Sequence, residues 1–253
     1  MESFKDKTVL ITGGSRGIGK ATAIAFAKKG AKVGVNFKND KNSAETTLNE
    51  LVGNAHKLYQ YDISIKSQQQ ALIKTVIADF GRIDILVNNA GISIEHDIDK
   101  TSFEEWFNAF QNTFQTNLFA AANLSFLVAK QMINSGGGHI VNVSSRGAFR
   151  GEPNKPAYGA SKAALNAMSQ SMAKKLAPHK IYVGVVAPGF TETDMATDTL
   201  TADEKENLMR ESPFKRMAQP EEVAHAILFL ASDSAAYSSG SIIDVNGASY
   251  LRS

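Results

Sequence analysis

Along this chain, short apolar runs alternate with longer segments whose apolar residues recur at helical spacing. Seven runs read as strands, over residues 8–12, 32–37, 55–61, 83–88, 139–144, 181–187 and 242–246. Most are near-continuous in Val, Ile and Leu, the pattern of strands covered on both faces rather than on one. Between them the spacing predicts helices over residues 17–29, 67–80, 117–133, 158–177 and 220–231. Phe103, Trp106, Phe107 and Phe110 fall on a further helix face, which reads as core or subunit packing. Strands alternating with helices from end to end predict an α/β fold, a doubly wound parallel sheet of about seven strands with helices on both faces. No Pro- or Ser-rich linker, composition shift or repeat interrupts the rhythm, so a single domain over residues 1–253 is the economical reading.

One stretch, residues 190–214, departs from this pattern. It is polar and acidic, with Met195, Leu200, Leu208 and Met209 at loosely helical spacing. It reads either as a surface helical insertion or as a lid over a substrate, since long excursions in compact domains often carry function.

Bulk composition narrows the partners. Of the 253 residues, 43% are hydrophobic and 21% charged, ordinary for a globular protein. Lys and Arg exceed Asp and Glu by only two, 27 against 25, which favours neither nucleic acid nor an anionic membrane as partner. The absence of cysteine excludes disulfides, thiolate catalysis and thiolate metal sites. The apolar run 8–12 is too short for a signal-peptide core or a membrane span and ends at Gly13-Gly14, so a soluble cytoplasmic protein is expected. His56, His96, His139, His179 and His225 show no pairing at ligand spacing, and no metal site is expected.

Two segments carry candidate chemistry. The first strand leads into Gly13-Gly14-Ser15-Arg16-Gly17-Ile18-Gly19 and then a helix. Such a turn lets backbone approach a pyrophosphate and aims a helix N-terminus at it. The spacing GxxxGxG is neither the GxGxxG fingerprint nor a P-loop. A carboxylate about 20 residues on would hold the free 2′-hydroxyl of NAD. The end of the second strand, Val35-Asn36-Phe37-Lys38, has none; Lys38 and Arg16 offer positive charge suited to the 2′-phosphate of NADP, unless both are merely solvated cations. NADP(H) is therefore expected over NAD(H).

In Tyr158-Gly159-Ala160-Ser161-Lys162 the spacing places Tyr158 and Lys162 on one helix face. A nearby ammonium stabilises a phenolate, so the pair could exchange a proton near neutral pH. Upstream, Ser144 and Ser145 end a strand and offer a hydroxyl to a substrate carbonyl.

Taken together, these segments resemble the short-chain dehydrogenase/reductase family over essentially the whole chain. TGxxxGIG stands at residues 12–19, NNAG at Asn88-Asn89-Ala90-Gly91, YxxxK at residues 158–162 and PG at Pro188-Gly189. The resemblance implies a Rossmann-like fold. It implies Tyr158 as acid/base, and Lys162 on the nicotinamide ribose, lowering the tyrosine pKa. Ser145, thirteen residues before Tyr158, would bind the carbonyl, and Asn117 would support a water relay to the lysine. It assigns Gly13, Ser15, Arg16, Gly17, Ile18 and Gly19 to the phosphates and Asp62 to the adenine. Asn89 and Gly91 fall to the adenosine side, and Pro188, Gly189, Thr191 and Thr193 to the nicotinamide carboxamide and phosphates.

Within the family, the 186–195 and 244–247 segments are similar to those of bacterial reductases acting on 3-oxoacyl groups of an acyl carrier protein. Reductases of sugars, alcohols and other small ketones share these features. A basic docking residue for an acidic carrier is missing from Asn134-Ser135-Gly136-Gly137-Gly138, though Lys174, Lys175 and Lys180 could compensate. Gly184 stands where many relatives have asparagine. A non-catalytic dinucleotide sensor is the remaining alternative, disfavoured because all four catalytic positions hold the expected residue types. The resemblance also implies a homotetramer. Leu118, Phe119, Leu124, Phe126, Leu127 and the 163–172 segment would supply its apolar contact.

Overall fold

The computed structural model describes residues 3–193 and 201–252. Seven strands, β1 (Thr8–Thr12), β2 (Lys32–Phe37), β3 (Lys57–Gln60), β4 (Ile85–Asn88), β5 (Gly138–Val143), β6 (Ile181–Pro188) and β7 (Ile242–Val245), form one sheet. Their order is β3-β2-β1-β4-β5-β6-β7 and every pairing is parallel. The chain winds outward from β1 in one direction and from β4 in the other. The switch between β1 and β4 opens a crevice at the carboxyl ends of the strands, where ligands of such sheets bind.

Among the described residues the α-helices are α1 (Gly17–Lys28), α2 (Lys41–Glu50), α3 (Lys66–Phe80), α4 (Phe103–Phe114), α5 (Ala120–Asn134), α6 (Gly147–Arg150), α7 (Pro156–Leu176), α8 (Ala202–Glu211) and α9 (Pro220–Leu230). Alternation along β1 divides the core. Val9 and Ile11 join Phe26 of α1 and Val223 and Ile227 of α9 on one face. Leu10 joins Leu72 of α3 and Leu124, Val128 and Met132 of α5 on the other. Each such fully buried side chain contributes about 1.5–3 kcal/mol, so the sheet is a rigid platform for whatever its upper edge carries.

Several boundaries differ from the periodicity, each for a local reason. The helix expected over residues 117–133 begins at Phe103, where Ser102 and Glu105 form a reciprocal capping box. It runs to Asn134 through a π-helical turn, Gln115–Phe119. β4 starts at Ile85 rather than residue 83, and the Asp84 carboxylate accepts the Thr8 amide at 2.8 Å where a ladder bond would lie. His56 similarly accepts the Val33 amide through Nδ1 at 3.2 Å, and β3 starts after it. Helix α2 was not anticipated: its sequence is polar, and it begins because Asp40 caps the Ser43 amide.

Of the expected excursion 190–214, residues 194–200 lie outside the described residues; after them comes α8. Among the described residues, no helix is long and apolar enough to cross a membrane.

Candidate active site

The crevice begins where β1 turns into α1. Gly13 and Gly17 have φ of 60° and 53°, a left-handed backbone that glycine adopts without strain. A Cβ added to Gly19 would lie 2.2 Å from the Gly13 carbonyl oxygen and 2.6 Å from Asn89 Nδ2, so the turn is closed tightly on itself. Neighbouring strands hold it. Asn89 Nδ2 donates to the Thr12 and Gly13 carbonyls at 3.0 Å each, and Thr12 Oγ1 accepts the Asn89 and Ala90 amides at 3.1 Å each. Thr47 donates to the Ser15 carbonyl at 2.8 Å.

Arg16, the N-cap residue of α1, makes no side-chain cap, so no cap from it satisfies the first amides of the helix. Ser15 is buried, Arg16 is exposed, and Ile18 packs against the core below. Gly17 faces Thr193, whose Cγ2 would stand 3.0 Å from an added Cβ. A glycine cradle under an uncapped helix N-terminus fits the pyrophosphate of a dinucleotide.

Beyond β2, Lys38 Nζ meets Asp62 Oδ2 at 2.8 Å. Partial burial pushes the Asp62 carboxyl up, but hydrogen bonds from Lys38 and from the Ser64 amide and hydroxyl outweigh it and hold Asp62 below the usual carboxylate range. Asp40, three residues past β2, accepts the Ser43 amide at 2.9 Å and hydroxyl at 2.6 Å. These bonds, reinforced by the charge of Arg16, keep it ionised. Both cations singled out for the cofactor phosphate thus stand near carboxylates.

The reacting groups meet above β4, β5 and β6. β5 delivers Ser145 just past its end, and α7 starts at Pro156, a residue preorganised for a first helical turn, so that Tyr158 sits in that turn. His96 Nε2 accepts the Ala157 amide at 3.1 Å while its ring packs edge-on against Trp106, fixing the start of α7.

The π turn presents Asn117, which is fully buried. Its side chain brackets Ile92, accepting the amide at 2.8 Å and donating to the carbonyl at 2.9 Å, and it donates to Ser161 Oγ at 3.1 Å. A widened turn lets one side chain leave the helical ladder, and such turns cluster at functional sites. Gly91 leaves room here: an added Cβ would lie 3.2 Å from Asn117 Oδ1 and 3.4 Å from Lys162 Nζ. The residue assigned to the adenosine side thus packs beside the reacting groups, while Asn89 spends its side chain on the glycine turn.

Burial dominates the electrostatics of the pair, and Lys162 takes its hydrogen-bond partner from the backbone. Its ammonium donates to the Val143 carbonyl at 2.8 Å and lies 5.8 Å from the Tyr158 ring centre. Burial lowers its pKa to about 8. Burial likewise drives the Tyr158 phenol above its ordinary value; a hydrogen bond with Ser145 pulls it down, and the Glu152 carboxylate pushes it up. The phenol is therefore held protonated, the state needed to give a proton.

On the far wall, Pro188 ends β6 and accepts the Arg146 amide, and Gly189 donates to Val245. Thr191 pairs with Ala218 in an isolated bridge and donates to the Gly189 carbonyl at 3.3 Å. Arg146 is buried, with its guanidinium on Glu211 of α8, on Ser249 and 4.5 Å from the Phe190 ring.

Sequence reasoning did not single out Thr12, Ser161, His96, Arg146 or Glu152. Thr12 and Ser161 lay inside quoted motifs. His96 and Arg146 act through partners distant in the chain, for which no spacing gives a signal, and Glu152, though close to Tyr158 in sequence, belongs to no motif.

A family model described as short chain dehydrogenase matches residues 7–204. The chain is 36% identical over 247 residues to the 3-oxoacyl-[acyl-carrier-protein] reductase FabG of Staphylococcus aureus, covering 97% of this chain and 98% of the relative. To the protein of that name in Escherichia coli K12 it is 36% identical over 249 residues, covering 98% and 99%. The Chlamydia trachomatis protein of that name is 36% identical over 245 residues, 96% of both chains.

Proposed function

The chain belongs to the short-chain dehydrogenase family and is an oxidoreductase acting on a carbonyl or CH–OH group, and on that premise we propose that it reduces a 3-oxoacyl thioester with NADPH, in the cytoplasm and as a homotetramer. The observation that carries the chemistry is the convergence of Ser145, Tyr158, Lys162 and Asn117 beside a glycine cradle fitted to a dinucleotide.

The cofactor would lie along the carboxyl edge of the sheet. Gly13, Ser15, Arg16, Gly17, Ile18 and Gly19 would hold the phosphates, Lys38 with Arg16 the 2′-phosphate, and Asp62 and Asn89 the adenosine. Gly91, Pro188, Gly189, Thr191 and Thr193 would border the nicotinamide end. Bound there, the reduced nicotinamide supplies a hydride to the carbonyl carbon.

The rest is the protein's part. Ser145 hydrogen-bonds the carbonyl oxygen and shares that bond with the phenol. Tyr158 gives its proton to the same oxygen as negative charge develops there, and burial keeps that proton in place beforehand. Lys162 stays cationic at neutral pH and, fixed by Val143, offers charge to the phenolate left behind. Asn117 fixes the Gly91–Ile92 backbone and Ser161, and so the floor under the lysine. Residues 190–214 would cover the substrate.

The substrate class follows the names of the relatives, and an acyl carrier protein would be the donor partner. The test is NADPH oxidation with an acetoacetyl thioester against sugars and simple ketones. Turnover of the thioester, lost in Tyr158→Phe with NADPH binding retained, supports the reading. Sugar turnover without thioester turnover overturns the substrate, and NADPH binding without turnover on any carbonyl overturns the reductase.

A further inference from the structure

Glu152 stands beside Ser145 and Tyr158 with no side-chain partner among the described residues. It lies in the loop between α6 and α7, folded back on the glycines that flank the serine and the tyrosine. A Cβ added to Gly147 would lie 2.5 Å from Glu152 Oε1 and 3.1 Å from its Cδ, and one added to Gly159 would lie 3.8 Å from its Cγ. The Gly147 amide donates to Ser145 Oγ at 3.0 Å, and Gly159 follows Tyr158 directly. The carboxylate is partly buried and, among the described residues, makes no hydrogen bond and no ion pair.

The nearby cations are engaged elsewhere. Arg146 and Arg150 share Glu211, Lys155 pairs with Glu95 at 3.4 Å, and Lys162 donates to Val143. The charges facing the phenol are Lys162 on its own helix and Glu152 on the loop, with the Ser145 hydroxyl bonded to it; the field of Glu152 is felt at both Tyr158 and Arg146.

A carboxylate beside the phenol that no protein donor occupies is open to a donor carried by a ligand. Around its reacting carbonyl a 3-oxoacyl thioester presents only acceptors and C–H groups. A ketone bearing a hydroxyl on the adjacent carbon presents an O–H. We propose that the site has a further activity, the reduction of α-hydroxy ketones, with Glu152 accepting a hydrogen bond from the hydroxyl next to the carbonyl. The inference rests on the reductase reading of Ser145 and Tyr158 and not on the thioester. In the step, the carbonyl carbon gains the hydride, its oxygen gains the Tyr158 proton, and the C=O π bond becomes C–O–H. The ketone is reduced to a vicinal diol, NADPH is oxidised, and the hydroxyl held by Glu152 keeps its proton.

The test compares kcat/KM for 3-hydroxy-2-butanone and 2-butanone, identical but for the hydroxyl, in wild type and Glu152→Gln. Wild type favours the hydroxylated ketone by about tenfold or more, as a hydrogen bond to a charged acceptor warrants, and Glu152→Gln brings the ratio down severalfold or more. Glu152→Asp restores part of it. A wild type that does not discriminate, or a variant that loses both substrates equally, overturns the proposal.

A second readout needs no turnover. In the cofactor-free protein the Tyr158 phenolate, followed by ultraviolet absorbance with Tyr158→Phe as blank, titrates at lower pH in Glu152→Gln than in wild type; an unmoved titration removes the carboxylate from the phenol and overturns the idea. Thioester turnover without hydroxy-ketone turnover sinks this inference alone, whereas no turnover of any carbonyl sinks the reductase reading and this with it.

Discussion

At the scale of single residues, position in the sequence and chemical state are separable. The four-residue spacing of Tyr158 and Lys162 was readable, as was a serine thirteen residues upstream. The acceptor that the lysine takes was not, because the Val143 carbonyl is backbone and carries no side-chain signature. That bond has a measurable consequence. The fall of the Lys162 pKa from 10.5 to about 8 means that folding disfavours its ammonium by about 3 kcal/mol. The penalty is complete below pH 8, where both states are charged, and lifts as pH rises from about 8 to 10.5. Lys162→Met should therefore abolish turnover yet raise stability at pH 7 by about 1–3 kcal/mol, less any cost of orphaning Val143. The gain should shrink by pH 10. Urea midpoints at the two pH values check this, and a destabilised variant at pH 7 would refute it. Lys38 is the other residue whose state matters. It pairs with Asp62 while largely exposed, so a 2′-phosphate has to share it. Lys38→Ala should weaken NADPH binding about tenfold and flatten its salt dependence, with NADH unaffected. Equal losses for both cofactors would place the phosphate elsewhere.

Among the elements, those with strong period were legible and those set by local chemistry were not. β1, β2 and α9 emerge from apolar spacing because burial on both faces leaves little else for Val, Ile and Leu to do. The polar α2 and the π turn at Gln115–Phe119 carry no such period, since one rests on a cap and the other on a single widened turn. Asn117 was singled out through its motif, but the bracket it forms around Ile92 was not legible. The glycine turn is the element where sequence and geometry agree most closely, and it yields a sharp prediction. Gly19→Ala sets a methyl 2.2 Å from the Gly13 carbonyl, a backbone atom that cannot step aside. The turn must open, while α1 keeps its anchor through Phe26 in the core. NADPH affinity should fall by more than tenfold with the far-ultraviolet circular dichroism unchanged, as read by quenching of cofactor fluorescence. Unchanged affinity would show that the turn adapts and that the cradle is not set by this glycine.

Over the whole molecule, strand order follows from the alternation of elements and from right-handed crossovers, which leave few ways to wind a parallel sheet. Assembly does not follow in the same way, because apolar residues on a helix say nothing of which neighbour they meet. Leu124, counted in sequence among the contact residues of a tetramer, is fully buried in the core of its own chain. The outer face of α5 is different. Phe119, Phe126 and Ile133 recur every seventh residue and are 47%, 62% and 37% exposed, forming a stripe along one side of the helix that carries Asn117 at its start. Phe103 and Phe107 of α4 are likewise exposed at its approach. An apolar stripe of this length on the helix beside the site is what a packed subunit would cover. Burying it in a tetramer makes stability depend on protein concentration, so the wild-type Tm should rise with concentration. Phe126→Glu sets a charge at the middle of the stripe and should lower the sedimenting mass and remove that dependence. Its effect on turnover then reports whether the π turn that presents Asn117 needs the neighbour to hold it. A variant that sediments as wild type would leave the stripe outside any assembly and overturn its place in the proposed tetramer.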